Sequence, residues 1–263
     1  MNIPSSFELH IADGIAQIVL NRPEAFNALT FDVYRELTQC FSDLETESSA
    51  RAVILTGRGK AFCSGGDVRD IIGPLLNADE RKLLHFTRMT CELVWRMRSC
   101  SKPIIACLNG VTAGAGAILA MASDFRIAAD TARVAFLFVR VGLSGADMGA
   151  CYILPKIVGL TKATELLMTG EFITAEEAFR IGFYNRVVAP EELSAAVTEL
   201  AVKLAAGPAR GLAVTKQQLN AETLPRLKET LALEATAQAR CMLHPDFKEG
   251  YNAFIEKRNP KFS

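Results

Sequence analysis

The chain has 263 residues and 28.6 kDa, half of them hydrophobic and 22% charged, which excludes intrinsic disorder and suits a large buried core. Lys plus Arg and Asp plus Glu each number 29, so the formal charge is zero and a nucleic-acid partner gains no support. Seven cysteines, at 40, 63, 91, 100, 107, 151 and 241, show neither zinc spacing nor a disulfide framework, so no metal site and a reducing compartment are expected. The segment MNIPSSFELH carries no basic or apolar leader, and the apolar stretch at 104–122 is broken by Asn109, Gly110, Gly114 and Gly116. A cytoplasmic protein without a membrane span is the expectation.

Residues 14–21, 52–57 and 103–109 are β-rich apolar runs, each followed by a polar turn. Near-continuous apolar strands separated by helical stretches predict an α/β fold whose sheet is covered on both faces. Thr30 is the N-cap expected for a helix over 31–45, where Phe31, Tyr34, Leu37, Phe41 and Leu44 recur at helical spacing. A second long helix is predicted over 79–100, and short strands over 124–128 and 134–138. Beyond about residue 150 the pattern becomes helical, at 161–169, 174–182, 190–206, 211–219, 224–241 and 245–257. The expected division is a core over 1–206 and a helical oligomerisation region over 207–263, the junction marked by Gly207 and Pro208.

Two glycine clusters follow strands: GRGKAFCSGGD (57–67) and NGVTAGAGA (109–117). Neither fits a nucleotide-phosphate cradle. Either is no more than a turn taken alone; together, two turns with bare N–H groups hold a developing negative oxygen. The strings LNRPEAFNAL (20–29), VILTGRGKAFCSGGDVRDI (53–71) and KPIIACLNGVTAGAGAILAMASDFRIA (102–128) resemble the crotonase superfamily, the enoyl-CoA hydratase/isomerase family. So do LPKIVGLTKATELLMTGEFITAEEAFRIGFYNRVV (154–188) and FIEKRNPKF (254–262), which extends the resemblance over nearly the whole chain.

The resemblance implies a spiral of ββα units with a helical C-terminal trimerisation region, assembled as a homotrimer or homohexamer. It implies an acyl-CoA substrate, with no cofactor because CoA is part of that substrate. Carried over by position, the oxyanion donors are Gly66 and Ala115. Ala25, Phe26, Ala28, Ser64, Gly65, Asp67 and Val68 are expected against the CoA moiety, and Lys257 near a CoA phosphate. Hydratases of this family use two glutamates; the matching positions are Ile118 and Phe138, both apolar and both expected at the reaction pocket with Phe136 beside them. The two-glutamate route is therefore not expected. The remaining carboxylate is Asp147, in VGLSGADMG (141–149), placed where dienoyl-CoA isomerases carry a proton shuttle and 4-chlorobenzoyl-CoA dehalogenases a nucleophile. Its alternative role is a turn or helix-cap residue. His85 is expected on a helix surface and Cys63 as packing. The expected activity is isomerase-, hydrolase- or lyase-type; a non-catalytic CoA-binding scaffold is the rival.

Overall fold

The computed structural model describes residues 4–221 and 224–263. A six-stranded sheet runs in the order β1 (Phe7–Ala12), β2 (Ile15–Leu20), β3 (Ala52–Gly57), β5 (Ile104–Leu108), β7 (Phe125–Ala129) and β10 (Arg186–Val188). Only the β1–β2 hairpin in it is antiparallel. A four-stranded sheet contains β4 (Ala61–Cys63), β6 (Val111–Ala113), β8 (Arg133–Ala135) and β9 (Ile173–Thr174), with β9 antiparallel to β8.

The pairs β3–β4, β5–β6 and β7–β8 each place their first strand in the large sheet and their second in the small one. Each second strand runs on into a helical segment: a helical turn over Val68–Ile72 with α2 (Gly73–Leu75), then α4 (Ala115–Ala122), then a 3₁₀ turn over Leu137–Val141. Repetition of this unit is the spiral that the resemblance implies.

Alternation along the central strands sends side chains to two cores. Ile54, Ile105 and Ile127 meet Leu193, Ala196, Val197 and Ala201 of α8 (Pro190–Ala206) on one face. Val53, Leu55, Ile104, Ala106 and Leu108 join the main core on the other, with α1 (Phe31–Thr46) and α3 (Glu80–Ser99). Thr30 caps α1 by accepting from the Val33 N–H, as its position in the sequence suggests. Helix α4 is apolar on every side and buried at every residue, as a helix threaded between two sheets must be.

After residue 150 come α5 (Ala150–Val158), α6 (Leu160–Thr169), α7 (Ala175–Arg180), α8, α9 (Ala209–Ala221), α10 (Leu224–Met242) and α11 (Pro245–Ile255). Strands do not stop there, contrary to the sequence pattern: β9 and β10 are present, but two or three residues are too few to show a period of two. The strand expected over 134–138 ends at Ala135, where the chain tightens into the 3₁₀ turn. Helix α10 returns to the core and packs along α3, with Leu227, Leu231, Ala235 and Ala239 buried. The Thr87 hydroxyl donates to the Ala235 carbonyl oxygen at 2.7 Å, fixing its register on α3.

Candidate active site

The turns after β4 and β6 abut. Gly65 has φ +111°, and a Cβ there would lie 3.2 Å from the Ala113 carbonyl oxygen and 3.5 Å from the Ala115 nitrogen, so only glycine lets the two turns approach. Gly116 faces the same constraint, since its Cβ would stand 2.2 Å from the Cys63 carbonyl oxygen. The Gly65 carbonyl oxygen accepts from Leu29, and the Asp67 N–H donates to Leu29, both at 2.8 Å. That pairing leaves the Gly66 N–H between them free, and the Ala115 N–H opens α4 with no acceptor among the described residues. Two unspent donors thus border one cavity of about 190 Å³.

Apolar groups make most of that cavity's wall, among them Tyr34, Phe86, Phe138, Tyr251 and Phe254. Among the described residues, the one carboxylate on it is Asp147. Leu143 is tied back by its N–H to the Phe138 carbonyl oxygen at 3.0 Å, and the left-handed residues Met148 and Gly149 turn the chain into α5. The turn aims Asp147 inward. Its Oδ1 is buried and has no hydrogen-bond partner, a costly state for a carboxylate. Burial pushes the Asp147 carboxyl up to about 7, against the opposing pull of the Gln238 amide and the Met148 N–H. A carboxyl titrating near neutrality can take and return a proton at working pH.

Seven residues expected from the sequence meet at this cavity: Ser64, Gly65, Gly66, Val68, Ala115, Phe138 and Asp147. Ile118 and Phe136 do not line it. Both lie in the core behind the wall, Phe136 edge-on to Phe183 with ring centroids 5.9 Å apart. Asp67 is instead the cap of the helical turn at 68–72, accepting from the N–H groups of Arg69 and Asp70, and it pairs with Arg22 at 2.9 Å. Burial raises its carboxyl, but those N–H groups and the guanidinium together hold it below the usual range. Ala25, Phe26 and Ala28 form a turn outside the cavity, joined to the site through the Ser64 N–H, which donates to the Phe26 carbonyl oxygen at 3.0 Å. Phe26 is 54% exposed with φ 50°. Lys257 is exposed beyond α11 and does not line the cavity.

His85 is exposed on α3; Cys63 is fully buried, and burial pushes its thiol up to about 12, so it packs as expected. Asn27, not singled out from the sequence, is the polar pin of the first turn. Buried, it donates to the carbonyl oxygens of Arg58 at 2.9 Å and Ala61 at 2.8 Å, and accepts from the Arg22 N–H at 2.9 Å. Met242, Tyr251 and Phe254 were also missed, because helices of the C-terminal region bring them from more than ninety residues away to the wall.

A larger cavity of about 420 Å³ lies under α9, lined in part by Arg98, Asp124, Arg126 and Lys216. Its charges are spent internally: Lys216 meets Asp124 at 2.7 Å, and Arg126 donates to the carbonyl oxygens of Phe183 and Ser123. Among the described residues it presents no unpartnered carboxylate, so the smaller cavity is the better site. Among the described residues no cluster of His, Cys, Asp and Glu could hold a metal ion, and no helix is long and apolar enough to cross a membrane.

The class is set by a two-sheet spiral of repeated strand–strand–helix units with two bare backbone donors beside an apolar cavity. The family model described as enoyl-CoA hydratase/isomerase matches residues 10–263, and the chain belongs to this family of acyl-CoA enzymes. It is 34% identical over 255 residues to a 1,2-epoxyphenylacetyl-CoA isomerase of Escherichia coli (strain K12), covering 97% of each chain. A trans-2-decenoyl-[acyl-carrier-protein] isomerase of Streptococcus mutans is 30% identical over 97% of this chain and 96% of its own. Among solved structures, an enoyl-CoA hydratase from Mycobacterium avium subsp. paratuberculosis K-10 superposes with a TM-score of 0.88 at 28% identity, covering 98% of this chain and 99% of that one.

Proposed function

We propose that the protein is an acyl-CoA isomerase in which Asp147 moves a proton and the N–H groups of Gly66 and Ala115 hold the thioester oxygen. The unpartnered, buried Oδ1 of Asp147 in the cavity bordered by those two donors carries this reading. In the first half-reaction the C–H bond beside the thioester carbonyl breaks and its proton passes to the Asp147 carboxylate. The electron pair moves onto the carbonyl oxygen as an enolate, which the two N–H groups stabilise. Return of the proton to another carbon completes the double-bond shift. Hydration is disfavoured, since it needs a carboxylate to activate water besides the group that handles the α-proton, and Asp147 is the cavity's lone carboxylate among the described residues. Isomerases stand among the relatives beside hydratases, and the aromatic wall suits a cyclic or aromatic acyl group.

Incubation with phenylacetyl-CoA in D₂O tests the reading, with mass spectrometry following deuterium at the α-carbon. Exchange well above the buffer rate is expected, whereas crotonyl-CoA should hydrate roughly 10²–10⁴-fold more slowly than with a two-carboxylate enzyme. Absence of exchange, or rapid hydration, would refute it.

We also propose a homotrimer or homohexamer. Leu219 and Leu233 of the C-terminal region are 76% and 72% exposed, and such residues on otherwise packed helices suit a subunit contact. Light scattering should give a multiple of 28.6 kDa; a value of one chain mass would end that proposal.

A further inference from the structure

Two polar side chains of α10, Glu234 and Gln238, lie one helical turn apart and both are buried, at 5% and 0% exposure. Neither lines the cavity. Both instead grip the segment that carries Asp147. Gln238 accepts from the Ser144 N–H at 2.9 Å and donates to the Ser144 carbonyl oxygen at 3.3 Å, a two-bond clasp on the start of the turn. Glu234 accepts from the N–H of Gly149, and from that of Cys151 at 3.2 Å, so its carboxylate closes the open start of α5 at the other end of the turn. No side chain of α5 caps that terminus, and its N-cap is a glycine. The turn at 144–151 is thus held from across the fold at both ends, with Asp147 between the two grips.

We infer that Glu234 and Gln238 are positioning residues that hold the turn at 144–151 from α10 and aim Asp147 into the acyl cavity. The inference deepens the proton-transfer role proposed above for Asp147 and rests on it for its kinetic consequence alone. The groups whose charge acts on this region are Tyr34 from α1, Cys63 from β4, Cys91 from α3, Cys151 from α5 and Glu234 from α10. Burial pushes the phenol and the three thiols up, so they stay neutral at ordinary pH. Glu234 differs. Burial, joined by the nearby Asp147 charge, pushes its carboxyl up to about 7, against the Gly149 and Cys151 N–H groups. The charge on Asp147 thus acts on Glu234 across the gripped turn and helps to keep its proton on.

Carbon-13 labelling of glutamate carboxyls, with Glu234→Gln assigning the signal, reads the Glu234 titration in the full chain without any substrate. In Asp147→Asn the Glu234 midpoint should fall by on the order of one pH unit; an unchanged or higher midpoint overturns the placing of Glu234 against the turn that carries Asp147. Gln238→Leu should speed amide hydrogen exchange across 144–151 at least about tenfold, the loss of roughly 1.4 kcal/mol of local closure. Unchanged exchange there overturns the clasp, and this arm stands even if Glu234→Gln does not fold. Deuterium exchange into phenylacetyl-CoA supplies the kinetic arm: Gln238→Leu should lower its rate without a matching loss of CoA-ester affinity. If amide exchange across 144–151 rises while the wild type exchanges no deuterium into phenylacetyl-CoA, the clasp is supported and the proposed chemistry of Asp147 fails; unchanged deuterium exchange in Gln238→Leu overturns the aiming role.

Discussion

Asp147→Asn should lower turnover of the true acyl-CoA substrate by roughly 10²–10⁴-fold while leaving CoA-ester affinity nearly unchanged. The expectation follows from the lining of the cavity, where no second carboxylate among the described residues stands ready to take over the proton. Asparagine has nearly the same shape and retains an acceptor oxygen, so the turn and the two backbone donors at Gly66 and Ala115 should persist. Their stabilisation of the oxyanion then remains, and the residual rate reports it. A loss in kcat without a matching rise in KM is the signature sought. Full activity in the variant would return Asp147 to a purely structural role at the entrance to α5, where its carbonyl oxygen accepts from the Ala150 N–H at 3.0 Å.

The same substitution should stabilise the protein above neutral pH. Burial raises the Asp147 carboxyl to about 7 in the folded chain, whereas in the unfolded chain it returns to about 3.9. Between those values the folded state binds the extra proton, so stability declines as pH rises through that window and levels off above about 7. Below about 4 both states are protonated and the contribution is fully present. Asparagine cannot ionise, which removes the decline. Chemical denaturation at pH 8 should find Asp147→Asn more stable than wild type by on the order of 2–4 kcal/mol, with the difference shrinking toward pH 5. Glu234, raised in the same direction, adds its own decline, so the variant's profile should be flatter but not flat. A variant less stable at every pH would show that Asp147 is held by unrecognised favourable contacts. Stabilisation upon loss of a reactive group is the familiar opposition between activity and stability.

Taken with the exchange experiments, these two results separate the roles of one carboxyl. Kinetics asks whether its proton reaches substrate, and denaturation asks what burying it costs. The scaffold reading, in which the fold binds CoA esters without turnover, predicts the second result without the first.

Local chemistry made much of the fold readable in advance. The runs at 52–57 and 103–109 are apolar on both sides because their strands sit between two cores, and that continuity is visible without coordinates. Helix α1 starts where Thr30 offers an oxygen to Val33, and α8 starts at Pro190, whose fixed φ suits a first turn. The glycine-rich turns at 64–66 and 114–116 were legible as exposed backbone donors, since glycine after a strand already implies unusual dihedrals or close approach. What stayed hidden has long-range causes. The short strands β4, β6, β9 and β10 gain their hydrogen bonds from distant partners and carry too few residues for a pattern. Ile118, expected in the pocket, points into the core because α4 is enclosed on all sides, and enclosure is a property of the packed layers. Asp147 could be named as a candidate from its string, and a raised titration follows once such a carboxyl is buried; that it is buried, and that its turn is gripped by a glutamate 85 residues further along the chain, was not visible there. Desolvation and contacts between distant segments are set only when the chain closes on itself, so no reading of neighbouring residues contains them.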